Sequence, residues 1–227
     1  MAAFFVWRNF SIEQRREFWS RAFSPRRVQP VWWLVTLVAV PAVMLLGAWV
    51  NALLGGALPL MDYVNLLKSQ PAEIPFFILM MMIGGPLAEE LGWRGLLLDA
   101  FQKKWSAVVS TMVLFLLWWS WHFPLFFLPG TSHYTWGLFT DMFWLFAMNV
   151  FLLTILMTLA HNANKRSVLT AILIHFSYNV TLSLLVPYTV QTFAFMTTFL
   201  AVLVIGLLAV QKLRVFKKQP VQLGAHL

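Results

Sequence analysis

Apolar residues fill six long stretches of the chain, and polar or turn-forming residues separate them. Each stretch can cross the roughly 30 Å hydrocarbon core of a bilayer, which takes about 20 helical residues. Helix-ending residues follow the first and third stretches, namely Gly55, Gly56, Pro59, Pro129 and Gly130. The pattern predicts an all-α, polytopic transmembrane bundle of about six spans, at residues 31–54, 74–98, 106–128, 142–160, 167–186 and 190–210.

The first 30 residues have a different pattern. Ser11 and Gln14 have the spacing of a capping box, which marks the start of a helix. One side of that helix would carry Ile12, Trp19, Ala22 and Phe23. We interpret residues 1–30 as a basic amphipathic segment in the membrane interface, with a partner-binding helix as the alternative. The bundle then covers 31–210, and 211–227 form a basic tail.

The composition fits a membrane protein, since 60% of the residues are hydrophobic and 11% are charged. Lys and Arg cluster in the N-terminal segment, in the loops after the second and fourth spans and in the tail, whereas the other loops hold only Lys68. Because cytoplasmic loops collect basic residues, both termini are predicted to be cytoplasmic. This distribution explains the net charge of +8 without a nucleic-acid partner. The absence of cysteine excludes disulfides and thiol chemistry.

Six polar residues within the predicted spans are candidates for a functional site, because a charge at mid-bilayer costs roughly 2.5 to 3.5 kcal/mol on insertion scales. Glu90 and Arg94 are four residues apart and can pair along a helix, whereas Glu89 points about 100° away. His175 and Asn179 are also four residues apart, so both side chains would face one cavity. The six are Glu89, Glu90 and Arg94 in the second span, His122 in the third, and His175 and Asn179 in the fifth.

Depth in the membrane agrees for two of the three groups. Glu90 lies about 12 Å from the cytoplasmic end of its predicted span, and His175 lies at a similar depth. His122 would lie about 24 Å in, beyond the middle. The structural alternative is an ion pair with hydrogen-bonded core histidines, but it leaves Glu89 unexplained.

Three motifs in order resemble the CPBP intramembrane endopeptidases, which include the CAAX prenyl proteases of the Rce1 type and the bacterial Abi and bacteriocin-immunity proteins. Residues 89–95, EELGWRG, resemble the EExxxR signature. Trp118 and His122 stand where the family has FxxxH, with Trp118 replacing the Phe. His175 and Asn179 resemble the later His and small polar residue. The resemblance covers about residues 74–186.

The resemblance implies an endopeptidase that cuts a membrane-associated or hydrophobic peptide, lipidated or not, in the cytoplasmic membrane of a bacterium. Glu89 would activate water with help from Glu90 and Arg94, and the oxyanion would be stabilised by His122, His175 and Asn179. The family is described both as metalloproteases and as metal-independent glutamate proteases. Zinc is therefore a candidate cofactor, although no HExxH pair lies on one helix. Its ligands would come from Glu89, Glu90, His122 and His175.

Two other functions stay open at this point. One is a noncatalytic immunity or interaction protein of the same family, and the other is a proton-coupled carrier. The carrier is disfavoured because the polar pattern does not repeat in the two halves of the chain. We interpret the remaining polar residues as solvated positions at helix ends, loops or termini, and Trp118 and Trp121 as packing residues or interface anchors. These polar residues are Asp99, His133, Asp141, His161 and His226.

Overall fold

The computed structural model describes residues 1–210, which contain helices and no strand. Five helices are long and apolar enough to span a membrane, and the helix Val168–Leu184 is apolar but shorter. This architecture confirms the predicted polytopic bundle and makes the chain an integral membrane protein. The predicted tail, with His226, lies outside the described residues. The helices are α1 (Ala2–Asn9), α2 (Ile12–Phe23), α3 (Pro30–Leu53), α4 (Asp62–Ser69), α5 (Pro71–Lys104), α6 (Ala107–Phe127), α7 (Ser132–Trp136), α8 (Asp141–Ala163), α9 (Val168–Leu184) and α10 (Val190–Val210).

Helix α8 lies at the centre of the bundle and packs against α6, α9 and α10. Its Asn149 joins three helices, since it accepts a hydrogen bond from Tyr178 of α9 at 3.0 Å and donates one to Thr197 of α10 at 2.7 Å. On the far side, α3 packs closely along α10. A Cβ atom on Gly47 of α3 would lie 2.7 Å from the backbone of Met196, so only glycine permits this approach.

Helix α5 is irregular around its acidic pair. Two π-helical stretches, Ile83–Leu87 and Trp93–Leu97, flank the α-helical turn Ala88–Gly92. Pro86 lies inside the first stretch and lacks the N–H that an α-helix needs there. Such bulges are frequent at functional sites because they redirect the side chains on either side.

The same helix continues past the predicted end at residue 98 to Lys104. Glu90 therefore lies about 21 Å from the end of α5, and its depth in a membrane stays a prediction. Only two residues connect α5 to α6, and His122 lies about 22 Å beyond the start of α6. Glu90 and His122 therefore lie at similar distances from the α5–α6 connection. His175 is only about 10 Å into α9, but α9 follows a buried loop in which Asn164 and Ser167 are inaccessible.

The N-terminal segment packs against the bundle. The capping box is present, with the Gln14 amide donating to Ser11 Oγ and the Ser11 amide donating to the Gln14 side chain. Helix α2 buries Phe18, Arg21 and Ala22, and a Cβ on Gly95 of α5 would lie 3.0 Å from the Phe18 ring. Its contribution as a lipid anchor stays a prediction, and the structure adds that α2 covers part of α5.

A buried charge cluster fastens this segment to the bundle. The Asp99 carboxylate pairs with Arg21 of α2 and with Arg166 of the α8–α9 loop, and His161 Nε2 lies 3.1 Å from it. Asp99 is 8% exposed and His161 is fully buried. The prediction that both are solvated was wrong, because α2 and the α8–α9 loop cover the end of α5.

Candidate active site

Glu90 and Arg94 form the predicted ion pair in the interior of the bundle. Arg94 Nη1 donates to both carboxylate oxygens of Glu90 at 2.9 Å, and both side chains are fully buried. His175 Nδ1 of α9 lies 2.9 Å from Glu90 Oε1. Such an additional partner stabilises a buried ion pair, whereas Nε and Nη2 of Arg94 have no hydrogen-bond partner among the described residues. The pair therefore also joins α5 to α9 and orients the ring of His175.

Glu89 has a different environment from its neighbour. Its side chain is half-buried, and Oε2 accepts a hydrogen bond from the indole Nε1–H of Trp118 at 2.7 Å. Among residues 1–210, no other hydrogen bond to the Glu89 carboxylate is present, so Oε1 is free to contact water or a ligand. Glu89 is thus the more accessible of the two carboxylates, as a general base requires.

Trp118 lies between the polar residues of three helices and is 2% exposed. The guanidinium carbon of Arg94 lies 4.5 Å from its ring centroid, which is a cation–π contact. The rings of His122 and His175 lie edge-on at centroid distances of 5.7 and 5.3 Å. Trp118 is a packing residue of the core, as predicted, and it also donates a hydrogen bond to Glu89. Its spacing of four residues from His122, on the same helix face, was the available signal.

Both site histidines have Nδ1 bound to an acceptor. His122 Nδ1 lies 2.7 Å from the carbonyl oxygen of Trp118, and His175 Nδ1 contacts Glu90. Because these oxygens only accept, Nδ1 of each ring carries the hydrogen. In a neutral ring Nε2 is then an acceptor, and it donates only when the ring is protonated. The predicted oxyanion role therefore requires the imidazolium form of a histidine.

The lack of a side chain at Gly85 leaves a methyl-sized gap between α5 and α9 beside these groups. Gly85 precedes Glu89 by four residues and therefore shares its helix face. A Cβ atom at Gly85 would lie 3.5 Å from Asn179 Nδ2 and 3.6 Å from His175 Nε2. Glycine thus leaves open the space beside two potential donors. Sequence reasoning did not include Gly85, although its i−4 spacing from Glu89 was visible.

The structure brings all six predicted residues together at one level of the bundle. Residues 71–181 match the family model described as type II CAAX prenyl endopeptidase, Rce1-like, and this range includes every one of the six. This region, just under half of the chain, is similar to the Rce1-like family. The sequence resemblance is thereby confirmed, while the roles of the individual residues stay predictions.

The chain is also similar to a curated protein, CAAX prenyl protease 2 of Methanococcus maripaludis. The two are 27% identical over 177 residues, which is 76% of this chain and 64% of that protein. The chain thus spans less than two thirds of the relative's length in this match. The shared region extends well beyond the three short motifs.

The arrangement of donors does not fit the predicted zinc site. Among the described residues, no group of three or more His, Asp or Glu side chains could hold one metal ion. Glu90, one of the predicted ligands, is already bound by Arg94 and His175. No chemical step through a metal follows from this arrangement.

His133 of α7 extends the site toward the opposite end of α6. Its ring stacks on His122 at a centroid distance of 6.0 Å and contacts Phe146 at 4.6 Å. Burial lowers the pKa of His133 to about 4. The prediction that His133 is a solvated loop residue was wrong, because α7 folds back over the bundle and the ring packs against His122 and Phe146.

Proposed function

We propose that this chain is an intramembrane endopeptidase that hydrolyses a peptide bond in a hydrophobic or membrane-associated peptide. The observation that carries the proposal is the half-buried Glu89, with one oxygen held by Trp118 and the other free. The histidines and amide beside it belong to two other helices. The match of residues 71–181 to the Rce1-like family model supports the same class of reaction.

In the proposed mechanism, Glu89 Oε1 takes a proton from a water molecule, whose oxygen attacks the carbonyl carbon of the scissile bond. The oxyanion that forms lies beside the gap at Gly85. There Asn179 Nδ2 and a protonated His175 Nε2 donate hydrogen bonds to it. Glu89 then delivers its proton to the amide nitrogen, the C–N bond breaks, and the new carboxyl and amino termini leave.

The ion pair of Glu90 and Arg94 contributes to the mechanism by orienting His175. Arg94 holds Glu90, and Glu90 accepts a hydrogen bond from His175 Nδ1, so the ring keeps its orientation. His122 lies within electrostatic reach of Glu89 and His175. We assign it to the wall of the site that faces the attacking water.

For the substrate, we propose a peptide whose C-terminal part lies in the membrane. The name of the relative, CAAX prenyl protease 2, supports a prenylated C-terminal segment as the first substrate to test. Both termini of the chain are proposed to be cytoplasmic, since basic residues cluster in the segments on that side. The substrate would then approach from the cytoplasmic leaflet.

The test uses full-length protein in liposomes and fluorogenic peptides with and without a prenylated cysteine. Glu89→Gln keeps the size of the side chain but removes the base, so cleavage should fall by at least about 100-fold. The matched control is Glu73→Gln, at the exposed start of the same helix, which should cleave normally. Wild-type rates in Glu89→Gln would refute the proposal.

The same preparation tests metal dependence. Wild-type protein is treated with chelator, its metal content is measured, and cleavage is repeated. Full activity without stoichiometric metal is expected if Glu89 alone activates the water. Loss of activity that returns only with added zinc would instead support the metal-dependent mechanism.

A further inference from the structure

Trp118 contacts several of the proposed catalytic groups. Its indole N–H donates to Glu89, its ring faces lie against Arg94, and its edges meet two histidines. Its backbone carbonyl also binds His122 Nδ1. One residue of α6 therefore touches groups on all three helices of the site.

The hydrogen bond to Glu89 has a specific chemical consequence. A carboxylate on a helix has several rotamers, and only some of them direct a lone pair toward the gap at Gly85. A donor fixed at Oε2 selects one rotamer and leaves Oε1 facing the water. The 2.7 Å distance is at the short end of the range for N–H···O hydrogen bonds.

We propose that Trp118 is a positioning residue, which holds Glu89 by its indole N–H so that Oε1 is the atom that accepts the proton. The proposal rests on the proposed function above. Phenylalanine, the residue of the similar FxxxH motif, has no such donor. This chain therefore orients its base through a hydrogen bond that depends on the Trp118 replacement.

The neighbouring Trp119 offers a matched control. It is the next residue of α6, and its ring packs against Phe123 and Phe143. Its Nε1 is buried and has no hydrogen-bond partner in the described part of the chain. Replacing either tryptophan by phenylalanine removes one indole from the same helix, but only one of the two changes removes a bond to Glu89.

The experiment compares Trp118→Phe and Trp119→Phe in liposomes, with kcat and KM measured from pH 5 to 9. Trp118→Phe should lower kcat by about 10- to 100-fold with little change in KM, since a misplaced catalytic group costs rate rather than binding. Its pH profile should also differ from that of the wild type, because the Glu89 carboxylate has lost the hydrogen bond from the indole. Trp119→Phe should keep the wild-type profile.

A second measurement does not depend on cleavage. In protein labelled with ¹⁵N at the indole nitrogens, the Trp118 signal is assigned by its absence in Trp118→Phe. It should lie downfield and move upfield in Glu89→Gln, where the acceptor is no longer charged. The other indole signals should stay in place.

The outcomes separate the two proposals. Wild-type protein that cleaves none of the peptides would overturn the proposed function. Wild-type protein that cleaves, together with an unchanged kcat and pH profile in Trp118→Phe, would overturn only the role of Trp118. An indole signal that is unaffected by Glu89→Gln would also overturn that role, even if Trp118→Phe folds poorly.

Discussion

The charge cluster around Asp99 makes a quantitative prediction about stability. Asp99→Asn keeps the shape of the side chain but removes the negative charge that faces Arg21, Arg166 and His161. The Arg21 side chain is 9% exposed, and its remaining partner is the carbonyl oxygen of Gly95 at 2.9 Å. The substitution thus leaves a buried guanidinium without a counter-charge.

The magnitude follows from the exposure of each partner. Breaking a buried ion pair by removing one member costs about 3 to 5 kcal/mol, and this applies to Arg21. The Arg166 side chain is 38% exposed, so its pair contributes about 1 kcal/mol or less. We expect Asp99→Asn to lower the free energy of unfolding by about 3 to 5 kcal/mol, which is roughly two to four orders of magnitude in the unfolding equilibrium.

The assay is reversible unfolding in mixed micelles of mild detergent and dodecyl sulfate, followed by tryptophan fluorescence. Asp62→Asn, at the exposed start of α4, is the matched control and should cost less than about 1 kcal/mol. Arg21→Gln should resemble Asp99→Asn, and the double variant should be less destabilised than the sum of the two. A loss below about 1 kcal/mol in Asp99→Asn would refute the burial of this cluster.

Two further predictions concern the site. Gly85→Ala should fold, because its methyl group would lie in ordinary contact with His175 and Asn179. It should lower kcat/KM for peptide cleavage at least about tenfold by filling the gap. The control Gly84→Ala, whose methyl group would meet nothing within 4 Å, should cleave normally. Equal rates in the two variants would contradict a role for the gap. His133 has a pKa of about 4 against an ordinary 6.5, so the unfolded chain binds more protons between these values and stability falls as pH drops from about 6.5 to 4. His133→Phe should reduce that fall in thermal midpoint between pH 7 and 4.5, and an unchanged slope would contradict the burial of the ring.

Much of the membrane architecture was predictable from local pattern. The apolar stretches predicted the six apolar helices to within a few residues at most ends, because hydrophobic length alone determines which segments can span a bilayer. The largest error was the end of α5, which the structure extends to Lys104. Asp99, Lys103 and Lys104 resemble a solvated boundary in sequence. In the structure only the two lysines are exposed, because Arg21, His161 and Arg166 pair with Asp99.

The candidate site was predictable as a set of residues but not as a network. Charged and imidazole side chains within apolar spans indicate function because their burial is costly. Their partners, however, depend on how the helices pack. No local pattern in the sequence identifies the indole of Trp118 as the donor to Glu89, or the gap at Gly85 as the space beside His175.

The sequence by itself determined the helical membrane class, the six polar residues and the family resemblance, since these depend on composition, spacing and motif order. The tertiary structure decided which carboxylate is buried with Arg94 and which is held by Trp118. It also decided that Asp99 and His161 are internal. These properties depend on contacts between residues far apart in the chain, and the free energy of burying a charge is set by those contacts rather than by its neighbours in sequence.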